Sequence, residues 1–170
     1  MQYEIIRYNY SLLTHKSPES DVDDLWNSIL PQYFGIADGY SINHQQSPWS
    51  DQTKTKADFI IRHVANGVVK NVIFIEDKRV NGEQSSSIWK EGVEEVKQYM
   101  NAARASLKKG QGKYWMFAIV TVGHYSRFYE LSPKEHELQD YRNSGGNLYE
   151  FKRDEDDIDR ILLELVQLTS

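Results

Sequence analysis

Three charged residues stand where an apolar strand should end. The run Val72-Ile73-Phe74-Ile75 leads straight into Glu76-Asp77-Lys78. Side chains two apart on a strand point to the same face, so Glu76 and Lys78 set a carboxylate beside an ammonium group. A second apolar run, Phe59-Ile60-Ile61, begins directly after Asp58. Carboxylates brought together from neighbouring strands offer hard oxygen ligands, which suit Mg²⁺ or Mn²⁺. A lysine beside them can orient a water molecule and screen a phosphate. Together these are the parts that metal-assisted phosphodiester hydrolysis needs. The same three residues also read as a structural salt-bridge cluster at a strand end.

The two runs are β-branched and aromatic and are joined through Asn66-Gly67, which predicts a β-hairpin. Its register decides the site. A strict two-residue turn pairs Asp58 with Ile75 and turns Asp58 away from Glu76. A three-residue loop, Ala65-Asn66-Gly67, pairs Asp58 with Phe74 and brings Asp58, Glu76 and Lys78 to one face. The chemistry needs the second arrangement, or a kinked strand that achieves the same.

Around the hairpin, Val22, Leu25, Trp26 and Ile29 predict a helix that Pro31 stops. Glu19, Asp21, Asp23 and Asp24 read as first-turn charges complementing its dipole. Trp89, Val93, Val96, Met100, Ala103 and Leu107 step by three and four and predict a long helix ended by Gly110 and Gly112. Tyr114 to Val122 reads as a strand buried on both faces, and Tyr125 to Leu131 as its neighbour. Ile158, Ile161, Leu162, Leu165 and Leu168 form a last helix, with the acidic run 154–157 capping its start. Residues 2–10 alternate loosely and read as a strand, 33–42 ends in a short strand, and 43–56 reads as a polar loop. The order gives one α/β domain over residues 1–170, a mixed central sheet flanked by helices. His63 reads as a partly exposed strand residue, His44 as a residue of the preceding loop.

Asp58, Glu76 and Lys78, with their separation and the apolar run before Glu76, resemble the motif of the PD-(D/E)XK nuclease superfamily. Asp58 matches the first acid, Glu76 the second and Lys78 the lysine; the resemblance covers roughly residues 18 to 131. It implies a restriction-endonuclease-like domain with an α-β-β-β-α-β core, and an endonuclease or exonuclease using Mg²⁺ or Mn²⁺ on DNA or RNA. Asp58, Glu76 and the Asp77 backbone carbonyl would hold the metal, and Lys78 would activate or position the attacking water. Ala57 stands where many members have proline. Some members carry Gln-x-x-x-Tyr on the following helix; here Gln98 is followed by Tyr99, and position 102 is alanine. Gln98 therefore carries over only as a helix contact to the site. A homodimer would suit cutting two strands. The alternative is a non-catalytic module that keeps the fold and binds nucleic acid or protein.

Charge distribution bears on that choice. The net charge is -5, yet residues 51–113 hold 12 basic and 8 acidic residues between acidic flanks. Lys54, Lys56, Arg79 and Lys90 are the expected members of a basic rim around the site, positioning phosphate, with the acidic first and last helices turned away from it. The absence of cysteine removes disulfides and thiolate zinc sites. No run of about 18 apolar residues exists, so no membrane partner is expected. The N-terminus lacks secretory features, which predicts an intracellular protein, cytoplasmic or nuclear.

Overall fold

The computed structural model describes residues 3–46, 56–107 and 112–170. Among the described residues seven strands form one mixed sheet: β1 Tyr40–Gln46, β2 Ala57–Ala65, β3 Val68–Lys78, β4 Met116–Val122, β5 Tyr125–Leu131, β6 Gln139–Asp140 and β7 Tyr149–Glu150. The order is β1-β2-β3-β4-β5-β6, with β7 also pairing β5. All pairings are antiparallel except β3 with β4. A parallel pair needs a crossover, and α3, Ser86–Ala105, supplies it.

The helices α1 (Glu4–Leu12), α2 (Glu19–Ile29) and α4 (Glu155–Thr169) cover one face of the sheet. Val22, Leu25, Trp26 and Ile29 of α2 join Phe59, Ile61, Ile73, Ile75, Phe117 and Ile119 in that core. The opposite face packs Trp89, Val96, Met100 and Ala103 of α3 on Ile60, Phe74, Ala118 and Val120. β4 is buried at every position, as its unbroken apolar run predicts. Among the described residues no helix is long and apolar enough to cross a membrane.

Three readings are corrected. Residues 4–12 are helix rather than strand. Ile6, Tyr10 and Leu13 lie four and three apart and reach the core, whereas Ile5, Tyr8 and Leu12 are exposed. That helical spacing prevails over the loose alternation. β1 extends to Gln46, into the stretch read as loop. His63 is buried rather than partly exposed, its ring 4.7 Å from that of Tyr40.

The hairpin has neither an unbroken two-residue register nor a three-residue loop; it takes the kinked-strand alternative. Asn66 and Gly67 both have positive φ, 52° and 75°, a two-residue turn with Ala65 opposite Val68. The register then shifts: Arg62 pairs with Asn71, but Ile61 pairs with Ile73. Val72 is the extra residue of a β-bulge. Beyond it Phe59 faces Ile75, a register that, continued by one step, sets Asp58 opposite Glu76. The bulge, rather than the turn, brings the two acids together.

Candidate active site

β3 carries its charges to the point where the sheet opens beneath the N-terminal half of α3. Glu76 turns towards α3, and Lys78 follows on the same face. Lys78 Nζ donates to Glu76 Oε1 at 2.5 Å and to Glu95 Oε2 at 2.6 Å. The lysine and Glu76 side chains are 12% and 6% exposed, so this is a largely desolvated cluster. Burial disfavours charge on Lys78, but the Glu76 carboxylate, helped by Glu95, holds it above the usual lysine value. Burial raises the Glu76 carboxyl far above the carboxylate range; Asp58 adds to the rise and Lys78 opposes it.

Gly92 lets α3 settle this close. A Cβ there would lie 2.8 Å from Val120 Cγ1, 3.8 Å from Lys78 Cε and 3.9 Å from Glu76 Cγ. Alanine gains about 1 kcal/mol in helix propensity, while overpacking a tight contact costs about 1–3 kcal/mol. Gly92→Ala is therefore expected to lower the denaturation midpoint modestly by lifting α3 off β4. A higher midpoint in urea would show that the close approach is not needed.

Asp58 joins the two faces of the sheet. Its Oδ2 accepts from the backbone N–H of Asp77 at 2.7 Å, which anchors the carboxylate at the end of β3. Burial pushes its carboxyl up to about 7, against that hydrogen bond, and the charges of Asp23 and Glu19 push the same way. The Asp77 side chain points to the α2 side, where Thr121 Oγ1 donates to its Oδ1 at 2.5 Å. Complete burial, then Asp58 and Asp23, hold the Asp77 carboxyl well above its ordinary value. Asp23, Asp58 and Asp77 each present a carboxylate oxygen within 4.8 Å of the others. Glu19 stands nearby, raised chiefly by burial while Lys78 opposes.

These residues fit a hard cation. Glu76 Oε2, Asp77 Oδ2 and Asp23 Oδ1 are buried oxygens without a hydrogen-bond partner. Several carboxylates crowded around Asp58 repel one another unless a proton or a cation lies between them. All the available donors are oxygens, the set that Mg²⁺ and Mn²⁺ take.

The structure thus gathers Asp58, Glu76, Asp77 and Lys78 and adds Asp23, Glu19 and Glu95. The α2 acids were read as dipole compensation. The i, i+4 spacing of Glu19 and Asp23, which stacks them on one side of the helix, was the available signal. The acidic helix α2, expected to lie away from the site, accordingly lies against it. Of the expected basic rim, Lys56, Arg79 and Lys90 are exposed, and Lys54 lies outside the described residues. The Lys56 carbonyl accepts from Tyr99 Oη at 3.2 Å, tying α3 to the start of β2. Gln98 is exposed and donates to Glu94 Oε1 at 3.4 Å on the outer flank of α3; Tyr99 takes the inward position. His44, on β1, packs its ring at a tilt against that of Phe59, with centroids 4.6 Å apart.

Compared with protein-family models, curated proteins and solved structures, the chain matches none.

Proposed function

We propose that this chain is a divalent-cation-dependent phosphodiesterase of the restriction-endonuclease type, hydrolysing DNA or RNA. The observation that carries the reading is the convergence on Asp58. Its carboxylate is pinned to the Asp77 amide, one strand away from the Glu76–Lys78 pair, with buried carboxylate oxygens left over on both neighbours. The helix–three strands–helix–strand order from α2 to β4 supports the same reading.

Asp58, Glu76 and the Asp77 carbonyl would hold Mg²⁺ or Mn²⁺. A bound cation would lower the pKa of water and polarise the phosphate. Lys78, held protonated, is a charge donor in the resting site and not a base. It therefore orients the water and offsets the negative charge that develops on the phosphate oxygens. Glu95 keeps its ammonium group in place, because a lysine tethered at two points cannot swing away from Glu76. The carboxylates weaken the approach of phosphate to the metal-free site, so the cation should strengthen substrate binding as well as cleavage.

The test is cleavage of labelled single- and double-stranded DNA and RNA with Mg²⁺, with Mn²⁺ and with EDTA. Cleavage should require the metal and should fall by at least about 100-fold in Glu76→Gln, in line with the loss of a group that acts on the developing charge. Binding without metal-dependent cleavage would give first place to the non-catalytic module, which the ion-paired state of Lys78 would then explain.

A further inference from the structure

A second basic locus lies on the same face of the sheet as Glu76. Glu76 pairs with Val120 on β4, and Val120 with Arg127 on β5. Arg127 thus sits in the same cross-strand row, two interstrand spacings or about 10 Å along. Between β5 and the first turns of α3 is a pocket of about 400 Å³, lined by Trp89, Lys90, Val93, Arg127, Tyr129 and Leu148 among others. That size suits a small organic ligand.

The lining is divided by chemistry. The Arg127 guanidinium lies 5.3 Å from the Trp89 ring centroid, a cation–π contact that orients it. Its Nε is buried without a hydrogen-bond partner. Lys90 is exposed at the rim. Among the described residues neither cation makes an ion pair. Glu83, the carboxylate at the pocket wall, is engaged elsewhere: its Oε1 accepts from the His124 amide at 2.8 Å and lies 2.6 Å from His124 Nδ1. Val93, Leu148 and Trp89 give the wall an apolar part, with Gln84 and Ser86 as polar neighbours. Two cations outside any ion pair, Arg127 also hydrogen-bonded to the Tyr129 side chain, stand beside apolar side chains and suit an anion that carries a flat, largely apolar group.

We propose that this pocket is a nucleotide subsite. It takes one phosphate of a nucleic-acid strand on Arg127 and Lys90, with the attached sugar and base against Val93, Leu148 and Trp89. The choice of a strand nucleotide rests on the phosphodiesterase reading; the anion and ring chemistry stands without it. Arg127 offers the planar donor fork suited to phosphate, and Lys90 adds a mobile point charge at the rim. The subsite would hold the strand a short distance from the bond to be cut, where it positions the substrate and takes no part in the chemistry.

Binding in EDTA tests this separately from cleavage. Fluorescence anisotropy would follow a labelled single-stranded 12-mer on the wild-type protein, Lys90→Met and Arg127→Met. Methionine at 127 keeps an apolar stem on Trp89, and Lys90 is exposed, so its variant tests the subsite even if the other folds poorly. Each variant should weaken binding about 5- to 10-fold and reduce the salt slope by about 0.7. Lys97→Met, which removes a lysine already paired with Glu94 and Glu137, should leave both unchanged. Affinities within twofold of wild type for Lys90→Met and Arg127→Met would overturn the subsite. A mononucleotide that binds as tightly as the 12-mer would overturn the strand assignment in favour of a free nucleotide. Cleavage lost or never detected, with these binding effects intact, would remove the phosphodiesterase reading and leave the subsite standing.

Discussion

Replacing Lys78 with methionine is expected to lower the melting temperature by roughly 6–12 °C at about pH 10, together with the loss of metal-dependent cleavage. Lys78 bridges Glu76 and Glu95 at 2.5 and 2.6 Å. Removing one partner of a buried pair leaves the remaining charge uncompensated, at a cost of about 3 kcal/mol or more. For a domain of this length each kcal/mol moves the midpoint by about 2–4 °C. The loss should shrink at about pH 7. Glu76, whose carboxyl burial and Asp58 push up to about 9, then carries a proton and no longer needs the lysine. The lysine's own protonation, raised above the ordinary value, is complete at both pH values and does not add to the difference. Thermal unfolding of the variant and wild type at the two pH values measures it. A loss that is equal at both would show that Lys78 acts by packing alone. Full cleavage by the destabilised variant would confine the lysine to a structural part.

This dual role is not visible from the strand pattern alone. Spacing of two placed Glu76 and Lys78 on one face, but Glu95 entered the site only because α3 descends on β4 at Gly92. That is a property of how the helix packs, and a stripe of apolar residues does not encode it. The hairpin shows the same division. Asn66-Gly67 specified the turn through local backbone preference. The bulge at Val72 depends on two successive residues, Val72 and Ile73, both being accepted by the core under α2, a tertiary outcome. Asp23 and Glu19 had an adequate local explanation in the helix dipole, which concealed their approach to Asp58. At the N-terminus the loose alternation of Tyr3, Ile5 and Arg7 masked the i, i+4, i+7 stripe of Ile6, Tyr10 and Leu13. Nine residues with few buried side chains carry little periodic signal of either kind.

Without a divalent cation, the protein is expected to lose stability as the pH rises from about 4 to about 8, and Mg²⁺ or Mn²⁺ should reverse that loss. An ordinary aspartate titrates near 3.9, whereas burial and the neighbouring acids push Asp58 up to about 7. The folded state therefore holds this proton more tightly than the unfolded chain. Its stabilising effect is complete below about pH 4 and is lost as the pH passes through the folded value. One such group changes stability by at most about 1.4 kcal/mol per pH unit across that window. Glu76 and Asp77, raised for the same reasons, extend the decline above pH 7. A cation that binds the ionised carboxylates of the folded state stabilises it by mass action. Because ionised ligands are needed, the thermal shift produced by Mg²⁺ or Mn²⁺ should be larger at about pH 8 than at about pH 5. Asp58→Asn removes the central charge without changing its size. It should raise the metal-free melting temperature at about pH 8, flatten its pH dependence and abolish most of the metal-induced shift. Differential scanning fluorimetry of both proteins across pH, with EDTA and with each metal, reads all three effects. A metal shift that persists undiminished in Asp58→Asn and also in Glu76→Gln would place the cation elsewhere and remove the site's claim to metal-assisted hydrolysis.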